Sequence, residues 1–192
     1  MIRLIDIIAS TIGLILLSPL FLLLAIWIKL DSPGSVFYRQ TRVGQYGRDF
    51  KLFKFRSMRT DADKAGLLTV GGSDSRITRA GLFIRKYKLD ELPQLINVLM
   101  GEMSLVGPRP EVRKYTELYT EEQLKILNVR PGITDWASIE FRNENEILGK
   151  SIDPEKTYIE NILPMKINLN MRFINNPSVI HYIKIVFKTI FH

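Results

Sequence analysis

Two neighbouring carboxylates, Asp90 and Glu91, follow a cluster of cations formed by Arg85, Lys86 and Lys88. After them, Leu92, Leu95, Ile96 and Leu99 recur at helical spacing, and Pro93 suits a first helical turn. The pair therefore falls at or just before a helix N-terminus. Taken alone, Asp90 reads first as an N-cap. The same placement supports a sharper reading, because a helix N-terminus beside arginines is a phosphate site. Carboxylates there can bind Mg²⁺ or attack phosphorus. Two further cations sit on stiff turns. Arg109 lies between Pro108 and Pro110, and Arg130 leads into Pro131-Gly132-Ile133-Thr134. Proline fixes φ and restricts its predecessor, so these arginines are presented rigidly. A rigid, bidentate guanidinium suits a diphosphate.

Composition narrows the chemistry further. The chain has 192 residues, enough for one compact domain plus an appendage. It has no Cys, which removes disulfides and thiolate metal sites. Its only histidines, His181 and His192, are remote from the acidic pair, so a His zinc site or a Ser-His-Asp triad does not fit. A catalytic metal would be a hard cation on oxygen ligands, such as Mg²⁺. Covalent phosphoryl chemistry would fall to a carboxylate, with Asp90 the candidate nucleophile. The formal charge of +7 suits phosphorylated substrates, an anionic membrane face or nucleic acid, and does not choose among them.

The elements that must position these residues divide into three. From Leu4 to Ile28 the chain is almost wholly apolar, the pattern of a membrane helix rather than a cleaved leader, since no small-x-small site follows. Ser18-Pro19 near its middle predicts a kink or break, leaving arms of roughly 20 Å against a hydrocarbon core of about 30 Å. Arg3 precedes the run, and Lys29, Arg39 and Arg42 follow it. Positive charge on both flanks favours a re-entrant hairpin with both ends cytoplasmic; a proline-kinked spanning helix is the alternative. The second division, residues 31–175, is a cytoplasmic catalytic body. After the stretch from Val36 to Gly44, Phe50 to Met58 alternates imperfectly and reads as a short strand or extended segment, Asp61 to Arg76 as a loop, and Arg79 to Lys88 as a helix. The third, 176–192, places Val179, Ile180, Ile183, Val186, Phe187 and Ile190 opposite His181, Lys184, Lys188 and His192. That periodicity suits an interfacial or an ordinary core helix. The expected class is α+β, mostly helical.

Five ordered blocks carry a resemblance. They are Ser18-Pro19 in its apolar run, Phe53-Lys54-Phe55-Arg56-Ser57-Met58, Leu89-Asp90-Glu91-Leu92-Pro93-Gln94, Val106-Gly107-Pro108-Arg109-Pro110 and Arg130-Pro131-Gly132-Ile133-Thr134. Together, over about residues 3–142, they resemble the bacterial sugar transferases, the small monotopic phosphoglycosyl transferases. The resemblance implies a membrane helix broken at Ser18-Pro19 and an Asp90-Glu91 catalytic dyad that also serves Mg²⁺. It implies transfer of a sugar-1-phosphate from a UDP-sugar to undecaprenyl phosphate at the cytoplasmic face of the bacterial inner membrane, with release of UMP. It also implies a two-step course through an Asp90 phosphosugar ester, with downstream glycosyltransferases taking the product. Lys54, Arg56, Arg85, Arg109, Arg130 and Thr134 match the substrate-binding positions. One stretch departs from the pattern. Many members continue Gly-Trp-Ala-Gln-Val-Asn-Gly-Arg, whereas this chain has Asp135-Trp136-Ala137-Ser138-Ile139-Glu140-Phe141-Arg142. If that stretch lines the sugar pocket, the donor sugar differs from that of better-known members. The chain also looks like the minimal form, without a multi-span N-terminal region. A membrane-tethered basic protein that binds anionic lipid or nucleic acid is the competing reading. It leaves the carboxylate pair and the proline-flanked arginines unexplained, so no nucleic-acid partner is expected.

Overall fold

In the computed structural model, residues 1–60, 62 and 74–191 are described. Most of the loop expected over Asp61–Arg76 lies outside them, as does His192. The chain runs α1 (Ile2–Asp31), β1 (Phe37–Val43), β2 (Asp49–Phe55), α2 (Arg79–Lys86), α3 (Gln94–Met100) and β3 (Ser104–Val106). It continues with α4 (Arg113–Thr116), α5 (Glu121–Leu124), β4 (Gly132–Thr134), α6 (Trp136–Glu140) and α7 (Glu144–Gly149). The last elements are α8 (Pro154–Thr157), α9 (Leu163–Asn175) and α10 (Val179–Phe191). Helix dominates, as expected.

The apolar run is one helix of 30 residues that passes through Ser18-Pro19, where the sequence predicts a kink or break. Pro19 has no N–H to offer the carbonyl of Ile15, one helical turn earlier. The Ser18 hydroxyl donates to that carbonyl instead, at 2.8 Å, and the helix continues. Both ends of α1 hold the rest of the protein. At the start, Arg3 donates to the carbonyls of Val98 and Leu99 at 2.6 and 3.0 Å, completing the C-terminal turn of α3. At the end, Leu24 and Ile28 pack with Phe55, Ala80 and Ile84. The Asp31 carboxylate accepts from the Ala80 N–H at 2.9 Å, in the first turn of α2. Between these anchors α1 shows apolar side chains to its surroundings, with Leu16 73% exposed. It is long and apolar enough to cross a bilayer.

The alternating segment becomes β2, and the stretch before it becomes β1 of an antiparallel hairpin, with Phe37 opposite Phe55 and Val43 opposite Asp49. Two short parallel strands, β3 and β4, pair Ser104 with Gly132 and Val106 with Thr134. Here the two proline-rich turns meet. A Cβ on Gly132 would come 2.1 Å from the Gly107 nitrogen, and one on Gly107 would come 2.4 Å from the Arg130 carbonyl oxygen. Only glycine permits that backbone approach.

The C-terminal helix differs from the simple two-sided pattern. Its buried side is Tyr182 and Ile185, packed with Val106 and, around them, Ile2, Ile5 and Trp136. Ile180, Ile183, Phe187 and Phe191 stand exposed. The helix is thus seated on the body and still shows an apolar face outward.

Candidate active site

The acidic pair sits on a single 3-10 turn, Leu89–Glu91, between α2 and α3. Lys88 enters that turn in the left-handed region (φ 56°), an uncommon conformation for a side-chain-bearing residue. Pro93 then starts α3, so Asp90 caps no helix, contrary to its plainest reading. One cavity of about 730 Å³ is lined by Lys54, Arg85, Asp90, Glu91, Arg109 and Thr134. Residues from β2, α2, the turn, the loop after β3 and β4 thus converge as expected.

The two carboxylates are treated differently. Glu91 is fully engaged: Lys54 donates to Oε1 at 3.1 Å, Arg109 Nη1 donates to Oε2 at 3.1 Å, and Arg109 Nη2 donates to Oε1. Burial alone would push the Glu91 carboxyl up, but Arg109 and Lys54 together hold it well below the usual carboxylate range. Glu91 in turn raises the Arg109 guanidinium pKa. Asp90 is 7% exposed and lines the same cavity, yet its carboxylate accepts no hydrogen bond among the described residues. Burial pushes its carboxyl up, and Lys54 only partly offsets that. The arrangement leaves one fixed, ionised carboxylate and one uncommitted carboxylate beside cations. Uncommitted oxygens are what nucleophilic attack or metal ligation requires.

Mg²⁺ commonly binds through one or two carboxylates plus substrate phosphate oxygens. Among the described residues no group of three acidic or imidazole side chains forms a ready-made cage. Asp90, with free oxygens, fits that sparse mode; Glu91 would have to loosen its hold on Lys54 or Arg109 to join.

Two expected substrate residues lie elsewhere. Arg56 leaves the end of β2 and donates to the carbonyls of Pro33 (2.8 Å), Ile28 (3.2 Å) and Ser32 (2.7 Å). It closes the C-terminal end of α1, where a cation is favourable. Arg130 is exposed, and its Nε donates to the Gly101 carbonyl at 3.0 Å. Its loop acts through backbone instead: Gly132 N–H donates to the Pro108 carbonyl at 2.9 Å, beneath Arg109. Thr134 lines the cavity and shares a 2.7 Å hydrogen bond with Thr189 of α10.

Other residues were not singled out by sequence. Asp135 is buried and accepts from the Arg109 N–H (3.1 Å), the Asn170 amide (2.6 Å) and the Ser138 N–H (2.5 Å). It therefore fixes the Arg109 backbone and starts α6 as its N-cap. Its place three residues after Gly132, before a helical run, was the available signal. Arg42, Glu111, Glu144, Tyr158 and Lys166 also line the cavity. The lining also includes the apolar Leu92, Leu95 and Val186, and Lys188.

Several known proteins have sequences similar to this one. The chain is 42% identical over 188 residues to the UDP-N-acetylgalactosamine-undecaprenyl-phosphate N-acetylgalactosaminephosphotransferase of Aeromonas hydrophila, covering 96% of this chain and 41% of that protein. It is 40% identical over 190 residues to the UDP-glucose:undecaprenyl-phosphate glucose-1-phosphate transferase of Escherichia coli (strain K12), covering 97% of this chain and 38% of that one. The chain thus spans about two fifths of the length of these two relatives. The exopolysaccharide production protein PSS of Rhizobium leguminosarum bv. phaseoli is 37% identical over 196 residues, covering 98% of this chain and 92% of that protein. The family model for bacterial sugar transferases matches residues 1–192, and the chain belongs to that family.

Proposed function

We propose that this protein transfers a sugar-1-phosphate from a UDP-sugar to undecaprenyl phosphate, through a covalent intermediate on Asp90. The observation that carries the reading is the split between the carboxylates: Glu91 is locked by Lys54 and Arg109, while Asp90 is buried, uncommitted and faces the same cavity. The names of the Aeromonas and Escherichia relatives supply the donor and acceptor classes. An Asp90 oxygen attacks the phosphorus that bears the sugar, the bond to the uridine-side phosphate breaks, and UMP leaves. A phosphate oxygen of the acceptor then attacks the same phosphorus and releases Asp90. Arg109 and Arg85 neutralise the diphosphate, and Lys54 favours the charged forms of Glu91 and Asp90 beside an anionic substrate. Mg²⁺, held by Asp90 with the diphosphate oxygens, would supply charge neutralisation there.

The reaction is placed at the cytoplasmic face of the bacterial inner membrane, with α1 entering and leaving on that side. Support comes from the anchors of α1. Arg3 and Asp6 near one end and Ile28 and Asp31 at the other all contact the same polar body. A helix crossing about 30 Å of hydrocarbon would place those ends in different aqueous compartments.

The test is a partial reaction. With UDP-sugar and Mg²⁺ but no acceptor, the full chain should release about one UMP per active enzyme and gain the mass of a sugar phosphate. An Asp90→Asn protein should do neither. An intact mass unchanged by every donor would end the covalent course. No UMP from any donor, even with acceptor present, would end the transfer reading.

A further inference from the structure

Five elements converge on a second buried polar chain that the chemistry above does not use. Arg42 comes from β1, Glu111 from the segment after Arg109, Glu144 from α7, Tyr158 from the turn before α9, and Lys166 from α9. The Tyr158 hydroxyl donates to Glu111 Oε1 at 2.5 Å. Lys166 Nζ donates to Glu144 Oε2 at 3.0 Å and lies 3.8 Å from Glu111 Oε1. Arg42 stands 3.7 Å from Glu111 Oε2. All five side chains line the cavity that holds Asp90 and Glu91.

Stability is a weak reason for such a chain. Buried ion pairs seldom outperform apolar packing of the same volume. An apolar cluster of Ile126, Leu148, Ile162, Leu163 and Ile167 already surrounds the region. Tyr158 also opens a π turn (Tyr158–Ile162), a distortion that recurs at functional sites. Among the described residues, three groups keep hydrogen-bonding capacity in reserve. The Lys166 ammonium has three protons and one hydrogen bond, to Glu144. Glu144, at 26% side-chain exposure, has one oxygen without a hydrogen bond and is the open end of the chain. Ser138 Oγ is buried, lines the same cavity and has no hydrogen-bond partner among the described residues.

We infer that Glu144, Lys166 and Ser138, held in place by Glu111, Tyr158 and Arg42, form the subsite that reads the hydroxyl groups of the donor's hexose. The inference rests on the transfer reaction proposed above. A carboxylate oxygen beside an ammonium matches two neighbouring sugar hydroxyls, one donating and the next accepting. Arg42 and Lys166 are already paired with the two carboxylates here, so this cluster offers the diphosphate no net positive charge, and the diphosphate belongs with Arg85 and Arg109 instead. A polyprenyl tail would desolvate these charges without pairing them; the apolar lining residues Leu92, Leu95 and Val186 suit it better. A site built to hydrogen-bond a hydroxyl discriminates strongly against a sugar that lacks or inverts it.

The experiment uses the full chain in lipid nanodiscs. UMP release is measured with UDP-glucose, UDP-galactose and their 2-acetamido forms for wild type, Glu144→Gln and Ser138→Ala. UMP inhibition and the thermal midpoint are recorded for each protein. The expected result is a change of about tenfold in the kcat/KM ratio between epimeric donors for Glu144→Gln, and a smaller change for Ser138→Ala. The inhibition constant of UMP should stay within about twofold, because UMP has no hexose. Equal loss on all donors overturns the subsite, as does an unchanged donor ratio with weakened UMP binding, which would place the uridine there. If Glu144→Gln melts early, Ser138→Ala decides alone. Should wild type release no UMP from any donor, the transfer reading itself fails, a result separable from an unchanged ratio.

Discussion

Asp6 and Asp90 are both withdrawn from water, at 1% and 7% exposure, and their surroundings are opposite. Asp6, on α1, accepts from Ser104 Oγ at 3.0 Å, the Leu105 N–H at 2.9 Å and the Tyr182 hydroxyl. Its charge is spent on joining α1, β3 and α10. Asp90 has cations nearby but accepts no hydrogen bond among the described residues. A saturated carboxylate ties elements together and has little left to react with. An unsaturated one costs stability and keeps its lone pairs available. Burial is thus shared by both aspartates and distinguishes nothing; the count of donors does.

The sharpest way to break this comparison is Asp90→Asn. Donor-dependent UMP release should fall by about a thousandfold or more, while folding is preserved or improved. The sign follows from charge. Burial raises the Asp90 carboxyl above its ordinary value, with Lys54 partly opposing. The protonated form therefore favours the fold at low pH, and that contribution is lost as pH rises through the raised value. At neutral pH a neutral amide removes the cost, so the thermal midpoint without divalent cation should not drop. For the same reason, UMP release should decline on the acid side at a pH above the ordinary carboxylate range. Asp6→Ala is the counterpart. It strands the Ser104 and Tyr182 hydroxyls and an amide, and should cost about 3 kcal/mol in denaturant unfolding, with activity per folded molecule retained. A drop for Asp90→Asn with no loss for Asp6→Ala would reverse the argument.

Next in size is Arg109→Lys, which removes the two-pronged hold on Glu91. A drop of about a hundredfold in kcat/KM is expected, since an ammonium cannot make both contacts. Kinetics equal to wild type would take Arg109 out of the machinery. The smallest effect concerns the outer face of α10. Phe187→Ser with Phe191→Ser should weaken liposome binding several-fold and move unfolding by less than about 1 kcal/mol, because both rings are exposed. Unchanged liposome binding would assign that face to protein contact instead.

Much of the catalytic frame was legible in the sequence, for local reasons. The period of Leu92, Leu95, Ile96 and Leu99 with Pro93 placed the dyad just before α3, and alternation placed the second strand of the hairpin. Arg56 was misplaced because β2 ends at Phe55. Lys54 and Arg56 share a parity that means a shared face only while the ladder lasts. Arg109 and Arg130 looked equivalent as proline-flanked turns. Which one faces the cavity depends on how Gly107 and Gly132 meet across the strands, a contact between distant segments. Glu111, Tyr158 and Lys166 carry no spacing signal, since 47 positions separate the first two. At Ser18-Pro19 the rule about proline was sound, but a hydroxyl one residue earlier supplied the missing donor.

The attachments of α1 have a mechanical consequence. Asp31 grips the start of α2, which carries Arg85, and Arg3 grips the end of α3, which follows the dyad. The helix is therefore a splint across both neighbours of the reactive turn. Seating that splint correctly and aligning Asp90 are one assembly step, so a copy whose α1 is misplaced lacks the scaffold that aims the proposed nucleophile.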